Sequence, residues 1–173
     1  MKMIIQRLLA ISTVILLSLA LNYATTQDII SVEAGQIGFQ VLLIIYLIQL
    51  VVFLISFVLK TEHYYDLTGG ITYITVIVYT LYQKQLLGTL DFRSILLGVL
   101  ILVWAMRLSS FLFLRIKKAG KDRRFDKIKT NFTRFMLAWA LQGFWVFMCT
   151  LPAITAIASE SKTTDYFLVG GAA

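Results

Sequence analysis

The chain has 173 residues, of which 59% are hydrophobic and only 14% charged, with a formal net charge of +7 and a mean hydropathy of +0.83. That balance excludes a soluble domain of this size and reads as one integral membrane domain. A single histidine and a single cysteine exclude a disulfide framework, a Cys/His metal cage, and any Ser-His-Asp arrangement that does not use His63.

Residues 8–24 form a first apolar run, preceded by Lys2 and Arg7, that is just long enough to cross a hydrocarbon core of ~30 Å at ~1.5 Å per residue. A cleaved signal peptide has a similar form, and Ser18-Leu19-Ala20 offers a small-x-small pattern. The helices that follow favour a first span. Residues 25–36 are polar and hold Asp28 and Glu33, and residues 37–59 form the clearest span, with Gln40 and Gln49 as its strongly polar members.

The connector at residues 60–70, KTEHYYDLTGG, gathers Glu62, His63, Tyr64, Tyr65 and Asp66 ahead of a glycine pair at which the next helix is expected to start. Residues 71–82 are rich in β-branched side chains and would suit a strand in water. In a membrane an open strand leaves its backbone groups unpaired, so a helix over about residues 68–87 is expected instead. Residues 92–114 make a fourth span with Arg107 inside it, and residues 135–157 a fifth, interrupted by Gln142 and bent or ended near Pro152. Residues 158–173 read as a polar tail. The fold class is therefore all-α, a polytopic helical bundle of about five transmembrane helices.

Nine of the sixteen Lys and Arg residues lie between Arg115 and Arg134, where a nucleic-acid domain would spread them over a solvated face. They are a topology signal, and no nucleic-acid partner is expected. With the N-terminus cytoplasmic, the inner side carries twelve cations and the outer side three, Lys84, Arg93 and Lys162. The N-terminus and the loop at residues 115–134 are thus expected in the cytoplasm.

Arg107 lies eight residues before Arg115, ~12 Å deeper along a helix. An arginine at that depth costs about 2.5–3.5 kcal/mol on insertion scales, so it normally faces a partner or a wet cavity. Three accounts stand open: a structural pair with a polar group such as Gln49 or Gln142, snorkelling, or contact with an anion or a polar substrate. The basic loop is explained in large part by topology and by attraction to anionic membrane lipid. Topology does not call for Asp122-Arg123-Arg124-Phe125, in which an acid and an aromatic interrupt the cations. An acid can fix an arginine fork in the plane that suits phosphate oxygens. Asp66 ahead of Thr68 could cap a helix, and the tyrosines beside it suit a membrane interface. No Walker or dinucleotide glycine fingerprint is present, and Cys149 reads as an inert core residue.

Taken in order, YYDLTGGITYI, WAMRLSSFLFLRIKKAGKDRRF and WALQGFWVFMCTLP resemble the membrane proteins of the domain-of-unknown-function family 1295, relatives of the steroid 5-alpha-reductases. The resemblance covers most of residues 60–152. It implies an all-helical membrane fold that binds NADPH from the cytoplasmic side and reduces a carbon-carbon double bond conjugated to a carbonyl in a lipid-like substrate. Carried over by position, Arg107, Arg115, Asp122, Arg124 and Phe125 match the family motif as cofactor contacts, and Asp66 and Gln142 match more loosely. On chemistry alone Glu62, Tyr64 and Tyr65 are the candidates for polarising the carbonyl. Family members continue through further helices that carry most of the cofactor contacts, so this chain is expected to be a truncated product or a short form whose partner chain supplies them. Two other readings stand beside it: a non-catalytic membrane protein whose basic loop binds anionic lipid or a partner, and a membrane methyltransferase of related fold.

Overall fold

The computed structural model describes residues 2–27, 32–120 and 122–158. The expected polar tail lies outside the described residues except for Ala158, and so does Lys162. Five helices follow one another: α1 (Lys2–Gln27), α2 (Val32–Val58), α3 (Tyr65–Leu86), α4 (Phe92–Ala119) and α5 (Phe132–Ala158), with one 3₁₀ turn, Arg123–Phe125, before α5. The β-branched run at residues 71–82 is helical, as the membrane argument requires. Most helices run past the apolar segments that reveal them, because intrahelical hydrogen bonding does not stop where lipid ends.

Four helices, α1, α2, α4 and α5, contain segments long and apolar enough to cross a membrane. Their outward faces carry Leu47, Val51, Leu54, Leu100, Phe111 and Trp145, all well exposed. The protein is a multi-pass integral membrane protein. In α3 the threonines, tyrosines and glycines lower the hydropathy, yet its 22 residues reach ~33 Å. Asp66 at its start meets the end of α4 at Arg115, and Lys84 near its finish meets the start of α4 at Asp91. It therefore crosses the full height of the bundle.

The composition of α3 suits a helix enclosed by α2, α4 and α5. Its buried threonine hydroxyls are satisfied by the preceding backbone turn: Thr68 donates to the Tyr64 carbonyl at 2.6 Å, Thr72 to Thr68 at 2.7 Å and Thr80 to Val76 at 2.7 Å. The polar residues of α2 turn toward it as well. Gln49 donates to Thr72 Oγ1 at 3.1 Å, and Gln40 accepts from the Tyr79 hydroxyl at 2.7 Å. Such interhelical bonds contribute about 1 kcal/mol each in lipid, where burial alone gives helices little reason to associate. Tyr73, Val76 and Ile77 complete the core against Ile45 of α2 and Val146 and Phe147 of α5.

Helix α3 starts at Tyr65, and Gly69-Gly70 falls inside its second turn. The pair serves close packing instead of starting the helix. A Cβ at Gly70 would stand 1.7 Å from Ser109 Oγ of α4, and one at Gly69 would stand 2.6 Å from Gln142 Nε2 of α5. Asp66 sits in the first turn, where its charge suits the helix dipole, but the capping position is Tyr64 and no side chain caps it. Helix α5 does not end at Pro152. It continues to Ala158.

The ends of the bundle alternate as the charge count implies. At one end Arg7 of α1 donates to Asn131 Oδ1 at 2.8 Å, so the chain start and the basic loop share a side. At the other, Lys84 donates to the Ile157 carbonyl and Arg93 donates to the Ala156 carbonyl at 2.7 Å, which satisfies the open C-terminus of α5. Asp91 caps α4 by accepting from the Ser94 N–H at 3.0 Å.

Gly70→Ala should lower the melting temperature in detergent, although alanine is ordinarily better in a helix by about 0.5–1 kcal/mol. Ser109→Gly in the same chain should recover most of the loss, since it removes the atoms that the new methyl meets.

Candidate functional site

The residues singled out in the sequence converge on the basic end of the bundle, through three devices that position the loop after α4. His63 in the α2–α3 connector hydrogen-bonds through Nε2 to the Gly120 carbonyl at 2.9 Å and through Nδ1 with the Thr61 hydroxyl at 3.0 Å. Gly120 has a φ of 74°, a left-handed turn that releases the chain from α4 and favours glycine. Phe125 then inserts into an aromatic cluster with Phe53, Phe135 and Trp139, with the Tyr65 ring 4.8 Å away. Glu62 is the third device. Its Oε2 receives Lys129 Nζ at 2.6 Å, and its Oε1 accepts from the Asp122 N–H at 3.3 Å.

Asp122, so held, grips Arg124. The Arg124 backbone N–H donates to Asp122 Oδ1 at 3.0 Å, Nε lies 2.9 Å from both carboxylate oxygens, and Nη2 bonds Oδ2. The side-chain bond from Arg124 holds the Asp122 carboxyl below the ordinary carboxylate range, and Asp122 in turn raises the Arg124 guanidinium. On α3, Asp66 Oδ2 stands 3.5 Å from Arg115 Nη2 and interacts electrostatically with Arg124 as well. Two acids and two exposed guanidinium groups thus share one rim.

Below the rim lies a cleft of about 240 Å³ between α3, α4 and α5. Its floor is Gly69, Gly70 and Tyr73, with Leu108, Ser109 and Leu112 on one wall and Leu141, Gln142 and Trp145 on the other. Gln142 donates to the Tyr65 carbonyl at 2.6 Å, while its buried Oε1 has no partner. The buried Tyr73 hydroxyl has no oxygen or nitrogen partner and neighbours the Cys149 thiol.

Of the residues expected at a site, Tyr65, Asp66 and Gln142 line the cleft, and Arg115, Asp122 and Arg124 form its rim. Phe125 is a buried anchor that sets the rim. Arg107 is exposed and does not line the cleft, and neither Gln49 nor Gln142 hydrogen-bonds it: Gln49 serves Thr72 and Gln142 serves Tyr65. Among the suggested proton donors, Glu62 has both oxygens engaged, Tyr65 donates to the Ala138 carbonyl at 2.9 Å, and Tyr64 is exposed. Sequence reasoning passed over Tyr73 and Ser109. The glycine pair was the available signal, since small residues in a membrane helix mark where a neighbour comes close.

With this geometry in view, the family model described as "Protein of unknown function (DUF1295)" is found to match residues 52–170. The chain belongs to the DUF1295 family. No curated protein and no solved structure matches it. The match to DUF1295 spans α3, α4, the basic loop and α5, so the residues of the cleft and its rim lie within the matched region, whereas α1 and the first part of α2 lie before it.

Burial raises the Glu62 carboxyl, but Lys129 and the Glu62 and Asp122 backbone hydrogen bonds outweigh it, so the folded value lies below the ordinary one. Stability from this group is complete above its unfolded value and is lost as pH falls through the folded one. Glu62→Gln should therefore flatten the acid limb of a plot of melting temperature against pH. Lys129→Ala should cost about 3 kcal/mol at neutral pH by leaving a buried carboxylate unpaired, measured by reversible unfolding in detergent.

Proposed function

We propose that the basic end of the bundle faces the cytoplasm and forms one wall of an NADPH site, serving reduction of a carbon-carbon double bond conjugated to a carbonyl in a lipid-like substrate. The observation that carries this reading is the rim: Arg115 and Arg124, each set against a carboxylate, stand above a cleft that runs between helices into the apolar part of the bundle. Planar guanidinium groups held in this way suit the pyrophosphate and the further phosphate of NADPH. The excess of Lys and Arg at this end supports the cytoplasmic orientation.

The residues present fit the phosphates better than they fit the whole dinucleotide. A cleft of about 240 Å³ lies below the ~300–1,000 Å³ usual for ligand pockets. This chain would therefore hold part of the cofactor, through Arg115 and Arg124. NADPH, when bound, supplies the hydride. The chain's own contribution to the substrate is a hydrogen-bond donor for the carbonyl oxygen, and Tyr73 is the group in the cleft with a hydroxyl free of oxygen and nitrogen partners among the described residues. It stands seven residues beyond Asp66, ~10 Å deeper along α3.

NADPH should raise the melting temperature of the purified protein by several degrees, and Arg124→Ala should abolish the shift. Arg124→Lys should restore little of it, since a point charge does not replace a planar fork. Tyr73→Phe should retain the shift and lose turnover of an enone-bearing lipid. No shift in the wild-type chain would reject cofactor binding, and full activity of Arg124→Lys would favour simple attraction to anionic lipid.

A further inference from the structure

Arg107 is a cation that neither the packing nor the cleft employs. The buried line of α4 passes through Ala105, Ser109 and Ile116. At ~100° per residue, Arg107 lies ~200° from both Ala105 and Ser109, on the back of the helix. Its neighbours there are Val103, Trp104, Phe111 and Leu114, all exposed, and it makes no hydrogen bond or ion pair among the described residues. It is fourteen residues from Arg93 and eight from Arg115, which sets it ~21 Å and ~12 Å from those two interfacial cations. A guanidinium is thus presented to the hydrocarbon near mid-depth.

We propose that the outer face of α4 around Arg107 docks a membrane-spanning helix from outside this sequence that carries a carboxylate near the middle of its apolar run. The chemistry selects that occupant. A guanidinium in lipid needs an acceptor able to take its planar fork, and a carboxylate matches it with two parallel bonds. A second copy of this chain offers none there: its nine acidic residues are Asp28, Glu33, Glu62, Asp66, Asp91, Asp122, Asp126, Glu160 and Asp165, and none falls within the four apolar spans found among the described residues. Two copies meeting on this face would oppose two arginines. Lipid phosphate is the other anion at hand, but Arg115, Lys117 and Lys118 already occupy the headgroup level on the same helix.

The test uses the full chain in liposomes of zwitterionic phosphatidylcholine, with energy transfer to a labelled synthetic leucine helix of ~20 residues carrying one central Glu. The Glu helix should associate at least about tenfold more tightly than its Gln counterpart, as expected for a charge pair excluded from water. Arg107→Leu should erase that preference while keeping the melting temperature. Arg107→Glu should transfer it to a helix with a central Lys, which separates lost pairing from lost folding. Equal association of Glu and Gln helices, or a preference that survives Arg107→Leu, would overturn the proposal. So would an effect of Arg107 seen only as binding to anionic liposomes, which would make it a headgroup anchor.

Discussion

The structure depends on how closely α3 can approach its neighbours. Lipid offers helices no hydrophobic reward for associating, so contact has to come from packing and from polar groups that satisfy one another. Gly69 and Gly70 let Ser109 and Gln142 reach the α3 surface, and α4 and α5 then flank the same turn from two sides. The cleft is the space left beyond that contact. Its floor is narrow for the same reason that its walls are close.

Glu62 couples this packing to the surface. It is almost fully buried, and its two oxygens join the α2–α3 connector to opposite ends of the loop, at Asp122 and Lys129. Asp122 can therefore grip Arg124 from a fixed position, and the rim inherits the rigidity of the bundle. A loop that composition describes only as basic is thus three kinds of residue: buried anchors such as Phe125, the acid-held fork of Arg124, and solvated lysines.

Much of this was legible in the sequence. Four spans stood out because apolar runs of that length have few other uses, and the enclosed helix α3 was recoverable only by excluding an open strand in lipid. The alternation of cations gave the shared end of the first helix and the basic loop, which the Arg7–Asn131 bond bears out. Asp122 with Arg124 could be read as a pair because their spacing is local. The partners of Glu62, Tyr65 and Gln142 could not, since each lies sixty or more residues away. Composition likewise could not say that Lys84 and Arg93, apparently topological charges, bond the last carbonyls of α5. The helix start at Tyr65 was missed because the glycine pair reads equally as a breaker and as a packing site.

The bonds at the far end of the bundle bear on how it could move. Lys84, Arg93 and Ser94 all reach the Ala156 and Ile157 carbonyls, so the start of α4 and the finish of α5 are stapled together around the end of α3. At the other end the same two helices are joined through a twelve-residue loop whose ties are side-chain bonds to the connector. The pair is built like tongs riveted at one end. Any widening of the cleft would hinge near Ile157 and would first have to break the Glu62 and His63 bonds that hold the loop at the rim.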